Sequence, residues 1–450
     1  MLERLKLANF KTWESADLRF GRITGLFGTN SSGKSSLLQF LLLMKQTKEA
    51  TDRAATFDLN GTYVRLGVFQ DLIHKHDSAR PLSWEIRFRS DEKLGLIDRS
   101  ERRNTEIARG DRIRVSGEAA ANGTQVRARR LEYRLGDAGF ILAPRSAEDA
   151  AFELSAAAGE FRFRRTQGRP WQLPGPIKSY EFPDQARTYF QNASFLADLE
   201  FKFEEQLDRV FYLGPLRDPP HRDYLWSHGR PADVGTRGEK AIEAILAATE
   251  AREQRNLAYR ARLQPFQGMI AHWLRHMGLI RAFKVEEIAA GSNRWQARVT
   301  VIDGGSEALL TDVGFGVSQV LPVVTLLQYA PKGATVLLEQ PELHLHPLAQ
   351  ADLADAIIHA ATVRGVQVVV ESHSEHLLLR LQRRVAEGGL SAGDLRLWFC
   401  SAHAGGSHLE PLQLDLLGRI ENWPDRFMGD AFGETAAAEL ARLKRQAAAE

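Results

Sequence analysis

The stretch Ile23-Thr24-Gly25-Leu26-Phe27-Gly28-Thr29-Asn30-Ser31-Ser32-Gly33-Lys34-Ser35-Ser36-Leu37-Leu38-Gln39-Phe40-Leu41-Leu42-Leu43-Met44 decides the fold class. Its first five residues are a short apolar run suited to a buried strand. The run Gly28 to Ser36 fits G-x-x-x-x-G-K-[ST] without a mismatch. Leu37 to Met44 then supplies a strongly apolar helix. A strand that enters a glycine-bounded turn and leaves it as a helix is the layout of a phosphate-binding loop. Gly28 and Gly33 let the backbone curl so that the N–H groups along the run converge on phosphate oxygens. The helix N-terminus adds partial positive charge at the same place. Lys34 is placed to neutralise the β- and γ-phosphates, and the Ser35 hydroxyl to ligate Mg²⁺.

Three later segments complete a nucleotide site that folding would reassemble. Thr335-Val336-Leu337-Leu338 reads as a buried strand ending in Glu339, where a phosphate-loop enzyme needs a carboxylate for Mg²⁺. Glu342 lies three residues on, and Pro341 stops the strand from continuing. Val366-Gln367-Val368-Val369-Val370 is a second largely buried strand, leading into Glu371-Ser372-His373-Ser374. In an open parallel sheet ligands collect at the carboxyl ends of strands, which places His373 to sense the γ-phosphate. Gly314-Phe315-Gly316-Val317-Ser318-Gln319 opens an apolar helix and offers an anion-binding surface, although it lacks the lysine of a second phosphate loop. His344, His346, His373 and His376 do not have the spacing of a zinc site, and the single cysteine, Cys400, adds no ligand set.

Composition bounds the rest. The 450 residues exceed one ordinary domain, and 44% hydrophobic with 26% charged content describes a soluble globular chain with an ample core. A net charge of +2 predicts neither a nucleic-acid nor a membrane partner from bulk electrostatics, so any such surface is local. One cysteine rules out an intrachain disulfide and fits a reducing cytoplasm. No apolar stretch has the length of a membrane span. Along the chain, residues 1–81 carry a strand pair and the phosphate loop, and residues 82–185 alternate with period two as an inserted antiparallel sheet. Residues 186–280 read as a helical region and linker loop, including a long helical stretch from Glu239 to about Met277 interrupted near Pro265. Within residues 281–400, residues 282–302 alternate again with period two, and from about 311 the pattern is helix, strand, helix, strand, helix, strand, which argues for parallel α/β units. Residues 401–450 form a small tail with Trp423-Pro424 and an Ala-rich final helix. Within the inserted sheet, Phe161-Arg162-Phe163-Arg164 has the alternation of a strand.

Asn9-Phe10-Lys11, Gly28–Ser35, Gly314–Gln319, Glu339-Gln340-Pro341-Glu342-Leu343-His344-Leu345-His346-Pro347 and Glu371–Ser374 together resemble the ABC-type ATPases of the RecF, SMC and OLD group. More narrowly they resemble its short bacterial members that end in a small domain carrying a Trp-Pro pair. Tyr212–Arg217, Val234–Glu239 and Trp423-Pro424 carry that narrower likeness. The resemblance implies an ABC-type P-loop ATPase head of the α/β class, with a mixed sheet, an inserted antiparallel sheet and a helical region. It implies ATP and Mg²⁺ as cofactors and a head-to-tail homodimer with ATP between subunits, open to higher assembly. Lys34 and Ser35 of one copy would then face Gly316 and Ser318 of the other. It also implies that Gln70 links Mg²⁺ to the inserted sheet, that His344–Pro347 crosses the dimer interface, and that His373 is the switch histidine.

The chain departs from that pattern at Gln340, where the family places a catalytic glutamate beside the Mg²⁺-binding acid. An amide cannot take the proton of an attacking water. Either Glu342 acts as the general base, or hydrolysis is slow and the ATP-bound dimer is long-lived; the bend expected at Pro341 favours the second. The arginines at 87, 89, 127, 129, 130, 162, 164 and 165, and those at 252–262, are candidates for a DNA-contacting surface. The resemblance points to a cytoplasmic ATPase of bacterial anti-phage defence that senses or clamps DNA and controls a separately encoded effector, a nuclease. The stretch after His373 lacks a carboxylate cluster for two-metal cleavage, so the chain itself is not expected to be a nuclease. The alternatives are a RecF- or SMC-like repair ATPase and an ATP-binding switch with negligible hydrolysis.

Overall fold

The computed structural model describes residues 1–100, 104–122, 125–146, 151–157, 161–168, 172–258, 260–424, 438, 440–442 and 445. Its centre is a six-stranded sheet in the order Gly406–Leu412, Leu395–His403, Ile23–Gly28, Gln367–Glu371, Thr335–Glu339, Val210–Leu213. The last five strands run parallel, and Gly406–Leu412 closes one edge antiparallel to its neighbour. Ile23–Gly28, Gln367–Glu371 and Thr335–Glu339 are buried at every position. That burial explains their near-continuous apolar sequences, because a parallel strand is covered on both faces. Since these strands share a direction, Gly28, Glu371 and Glu339 all emerge at the same edge.

A second, antiparallel sheet has seven strands in the order Trp13–Arg19, Leu2–Phe10, Leu82–Asp98, Thr105–Asn122, Gln125–Leu135, Ala138–Pro144, Phe152–Ala156. The N-terminal pair and the strands after residue 82 therefore form one continuous surface, with Leu5 opposite both Leu18 and Ile86. The inward residues of this sheet, among them Leu5, Leu7, Trp84, Ile86, Val115 and Tyr133, pack in one apolar cluster with helix Lys34–Glu49 and helix Leu196–Asp208. Helix Lys34–Glu49 has eleven buried residues of sixteen, because it lies between the two sheets. On the far side of the parallel sheet, helices Ala241–Glu250, Phe266–His276, Phe315–Tyr329, Pro347–Thr362 and Glu375–Ala386 form a second apolar cluster. This layering meets the expected α/β class. No helix among the described residues is long and apolar enough to cross a membrane.

Three local expectations are corrected. The helical stretch from Glu239 is two helices, Ala241–Glu250 and Phe266–His276, separated by a short hairpin pairing Gln254–Arg255 with Gln264–Pro265. Phe161–Arg164 is not a strand. Its two phenylalanines join Phe140 and Phe195 in an aromatic cluster with ring centroids 4.7–6.2 Å apart, so the alternation reflects packing rather than pairing. Residues after 400 contribute strand Gly406–Leu412 to the central sheet. Most of the Ala-rich helix expected at the end of the chain lies outside the described residues.

Candidate functional site

The loop after strand Ile23–Gly28 is shaped by two glycines that nothing else could replace. Gly28 has φ 139°, and a Cβ there would stand 2.0 Å from the Cys400 carbonyl oxygen on the neighbouring strand. Gly33 has φ 85° and caps helix Lys34–Glu49; a Cβ there would meet Thr12, Ser407 and the Trp13 indole within 3 Å. Trp13 Nε1 also donates to the Gly33 carbonyl at 3.1 Å. The tight turn after Asn9-Phe10-Lys11, with Asn9 and Lys11 at positive φ, is thus a buttress for the phosphate loop. Lys11 adds a 2.6 Å bond to Gln39 on the helix.

Lys34 is buried and folds back over its own loop, donating to the carbonyls of Gly28 (3.2 Å) and Thr29 (2.7 Å) and to Ser32 Oγ (3.4 Å). Burial lowers its pKa, with Glu371, Cys400 and Glu342 opposing. These are bonds to neutral oxygens, so the ammonium is free to turn to a stronger anionic acceptor such as phosphate. Thr29, Asn30 and Ser31 are exposed at the rim, while Ser32 is buried beneath.

The Ser35 hydroxyl donates to Glu371 Oε1 at 2.9 Å. This partner was not among the site residues read from sequence. Glu371 ends strand Gln367–Glu371, which lies directly beside the phosphate-loop strand, whereas the strand of Glu339 lies one place further out. Glu339 instead accepts from the Tyr212 hydroxyl at 3.0 Å. Glu339 and Glu371 are register partners, so two buried carboxylates stand side by side. Burial, then the charge of Glu371, pushes the Glu339 carboxyl up to about 7. Burial likewise raises Glu371, against the Ser35 bond and the Lys34 charge.

Gln340 sits at φ 44°, a left-handed conformation that costs a non-glycine residue on the order of 1–3 kcal/mol. Its amide donates to the Glu371 carbonyl at 2.8 Å. Arg217 secures the other side: its guanidinium donates to the carbonyls of Glu339 and Gln340, both at 2.9 Å. Burial pushes Arg217 down to about 10. Pro341 then turns the chain, and Glu342 Oε1 accepts from Ser372 Oγ at 2.7 Å and from the His373 amide at 2.8 Å. Glu342 is therefore engaged in holding the loop that carries His373. Ser374 continues that loop by capping helix Glu375–Ala386 and donating to Gln350 at 2.6 Å. The His373 ring is exposed; partial desolvation and then the Lys34 charge lower its pKa, against a hydrogen bond with the Gly28 backbone.

The fold thus brings Gly28–Ser36, Glu339, Gln340, Glu342 and His373 to one sheet edge. Gln70 is exposed on the short helix Phe69–Leu72, and no hydrogen bond joins it to Ser35 or Glu339 among the described residues. Gly316 and Ser318 lie in the first turn of helix Phe315–Tyr329; Gly316 is half-buried against the His344–Leu345 turn, and Ser318 is buried, its Oγ donating to the Phe315 carbonyl. Phe315 itself is 70% exposed and lies near His344. Sequence reasoning missed Tyr212 and Arg217 as well as Glu371. Tyr212–Arg217 and Glu371 stood in quoted motifs, but only strand order and register reveal what they touch.

Much of the arginine surface is neutralised. Arg87 pairs with Glu85, Arg89 with Asp111, Arg164 with Asp98, and Arg114, Arg130 and Arg134 converge on Glu132. Arg255 is buried against Glu253. Arg127, Arg129 and Arg162 are exposed with no ion-pair partner among the described residues.

The sequence matches the family described as "AAA domain, putative AbiEii toxin, Type IV TA system" over residues 23–380. No curated relative matches it. Among solved structures, it is similar to an SMC head bound to the C-terminal winged-helix domain of ScpA, at 12% identity and TM-score 0.45, over 92% of this chain and 98% of that one. It is similar to the SMC head domain from Thermotoga maritima at 11% identity and TM-score 0.41, over 92% and 99% of the two chains. It is also similar to the Smc head with an extended coiled coil bound to the C-terminal domain of ScpA derived from Pyrococcus furiosus, at 11% identity and TM-score 0.46, over 92% and 96%.

Proposed function

We propose, from the premise that the chain belongs to this AAA-domain family, that it is a P-loop ATPase acting as a nucleotide-driven clamp. ATP would bind along Gly28–Ser36 and bring two copies together head to tail, with Gly316 and Ser318 of one copy completing the site of the other. The observation that carries the reading is the convergence of Lys34, Ser35, Glu339 and His373 at one sheet edge, around a loop held open by Gly28 and Gly33. The residues present fit a divalent cation: Ser35 has its proton engaged and its lone pairs available, and a buried carboxylate oxygen nearby has no partner. Ser35 and Glu339 would hold Mg²⁺, which screens phosphate charge and polarises the terminal phosphoryl group. Lys34 would leave its loop carbonyls for the phosphates. His373 would report on the γ-phosphate through the loop that Glu342 fixes. Gln70, exposed on helix Phe69–Leu72, would join the cation.

Exposed Phe315, beside His344, supports an association surface at the Gly314–Gln319 segment. Arg127, Arg129 and Arg162 support contact with a DNA backbone, on a smaller surface than the full arginine set. On this reading the chain clamps DNA in anti-phage defence and controls a separately encoded effector. A second reading, a binding switch with negligible hydrolysis, is favoured by one observation: Glu342 is already committed to Ser372 and His373 while Gln340 bears no carboxylate. ATP turnover and native mass, with and without double-stranded DNA, test both. DNA-stimulated turnover with an ATP-dependent dimer lost in Lys34→Ala supports the clamp, and a stable dimer with negligible turnover supports the switch. Turnover and mass both indifferent to ATP would refute the nucleotide reading.

A further inference from the structure

We infer that Glu371 is the carboxylate that anchors the divalent cation of the nucleotide site through Ser35, with Glu339 as the second member of a carboxylate pair. This rests on the nucleotide reading above and adds a residue to it. Four observations carry it. The first is contact: Ser35 Oγ donates to Glu371 Oε1 at 2.9 Å. A hydroxyl whose proton is held by a carboxylate turns its lone pairs away from that carboxylate, which orients it as a metal ligand. The second is an orphan. Glu371 Oε2 is buried, in a residue only 3% exposed, and has no hydrogen-bond partner. A buried carboxylate oxygen without a donor is costly unless a cation meets it.

The third observation is register. Glu339 and Glu371 end adjacent parallel strands as direct partners, so their side chains leave the same face of the sheet one strand apart. The neighbouring cations act on them only through space: Lys34 bonds loop oxygens, and Arg217 bonds main-chain carbonyls. Among the described residues a tyrosine and a serine are the side-chain donors to this pair, and no cation bonds either carboxylate directly, a place that a divalent ion would fill. The fourth is strand order. Strand Gln367–Glu371 is the direct neighbour of the phosphate-loop strand, and Thr335–Glu339 is not. Glu342 also has an unpartnered oxygen, but its other oxygen is fixed by Ser372 and His373 on the loop beyond the strand. Gln340 consequently does not leave the site one carboxylate short on its cation side.

The test is binding of a fluorescent ATP analogue to the full chain, in EDTA and in Mg²⁺. The wild type is expected to bind in EDTA and to tighten with Mg²⁺. Glu371→Gln removes one negative charge near the phosphates, so its affinity in EDTA should equal or exceed that of the wild type. Its Mg²⁺-dependent gain should fall by about 10–100-fold. A full Mg²⁺ gain in Glu371→Gln, or a wild type whose affinity ignores Mg²⁺, overturns the inference and leaves the nucleotide site standing. A wild type that binds no nucleotide in either buffer overturns the nucleotide reading itself. If Glu371→Gln does not fold, Glu371→Asp decides. A shorter carboxylate should lose part of the Mg²⁺ gain, and an unchanged gain counts against the inference.

Discussion

Replacing Glu339 with glutamine is expected to stabilise the nucleotide-free protein above neutral pH while weakening its response to Mg²⁺ and ATP. Glu339 is 7% exposed and stands beside Glu371 at the ends of paired strands. Burial and that neighbouring charge move its carboxyl from 4.5 to about 7. An acid with a raised folded-state value holds its proton more tightly in the folded protein than in the unfolded chain. The stability this confers is present below about pH 4.5, diminishes as pH rises, and is gone above about pH 7. The separation corresponds to about 3 kcal/mol of ionisation penalty at about pH 8. A chain of this length unfolds with an entropy on the order of 1 kcal/mol per kelvin, so the variant should melt about 3 °C above the wild type at that pH. Near about pH 4.5 the two should coincide within about 1 °C. Glutamine keeps the volume and an acceptor for the Tyr212 hydroxyl, so packing is held constant. The assay is a thermal melt in EDTA across this range, repeated with Mg²⁺ and ATP, where the wild type should gain more. A pH-independent difference, or a variant that melts lower at about pH 8, would refute the electrostatic reasoning.

Arg217→Ala should destabilise the protein by about 3–5 kcal/mol in urea unfolding, since two buried carbonyls lose charged donors; a loss below about 1 kcal/mol would mean the Gln340 turn holds itself. Gly28→Ala places a methyl group 2.0 Å from the Cys400 carbonyl at φ 139°, so nucleotide binding should vanish in whatever fraction folds. Normal binding by that variant would show that the loop is not built as described. Glu342→Gln retains acceptors for Ser372 and the His373 amide, and turnover within about 3-fold of the wild type is expected if Glu342 only positions the histidine loop; a fall of about 100-fold or more would identify it as the general base.

The phosphate loop was legible because its chemistry is contiguous: two glycines, a lysine and a serine act within one turn, flanked by a strand and a helix that composition alone marks. The parallel units after residue 311 were legible for a related reason, since doubly buried strands such as Val366–Val370 read as near-continuous apolar runs. The hairpin between Gln254 and Pro265 was not, because arginine, glutamine and leucine favour helix locally and tertiary contacts reversed that preference. There Arg255 turns inward, donating to the Gln328 carbonyl at the end of helix Phe315–Tyr329. Strand Gly406–Leu412 was missed because an edge strand, paired on one side only, carries the polar and small residues Ser407, His408 and Glu410 rather than an apolar run.

The site's acidic side shows where reading residues in order reaches its limit. Glu339 and Glu371 are 32 positions apart in sequence, yet they become neighbours because helix Pro347–Thr362 returns the chain to begin a parallel strand in direct register. A motif reading assigns one carboxylate to each slot of the resembled pattern and treats Gln340 as a vacancy. The folded chain distributes the same charge differently. Gln340 works as a strained turn, pinned by the Glu371 carbonyl and Arg217, and that turn frees Glu342 to hold the His373 loop. Gln340→Glu would therefore add a fourth carboxylate to a site where Glu371 already repels Glu339 and Glu342. Faster hydrolysis is not the necessary result, because the added charge also raises the cost of the nucleotide-free site.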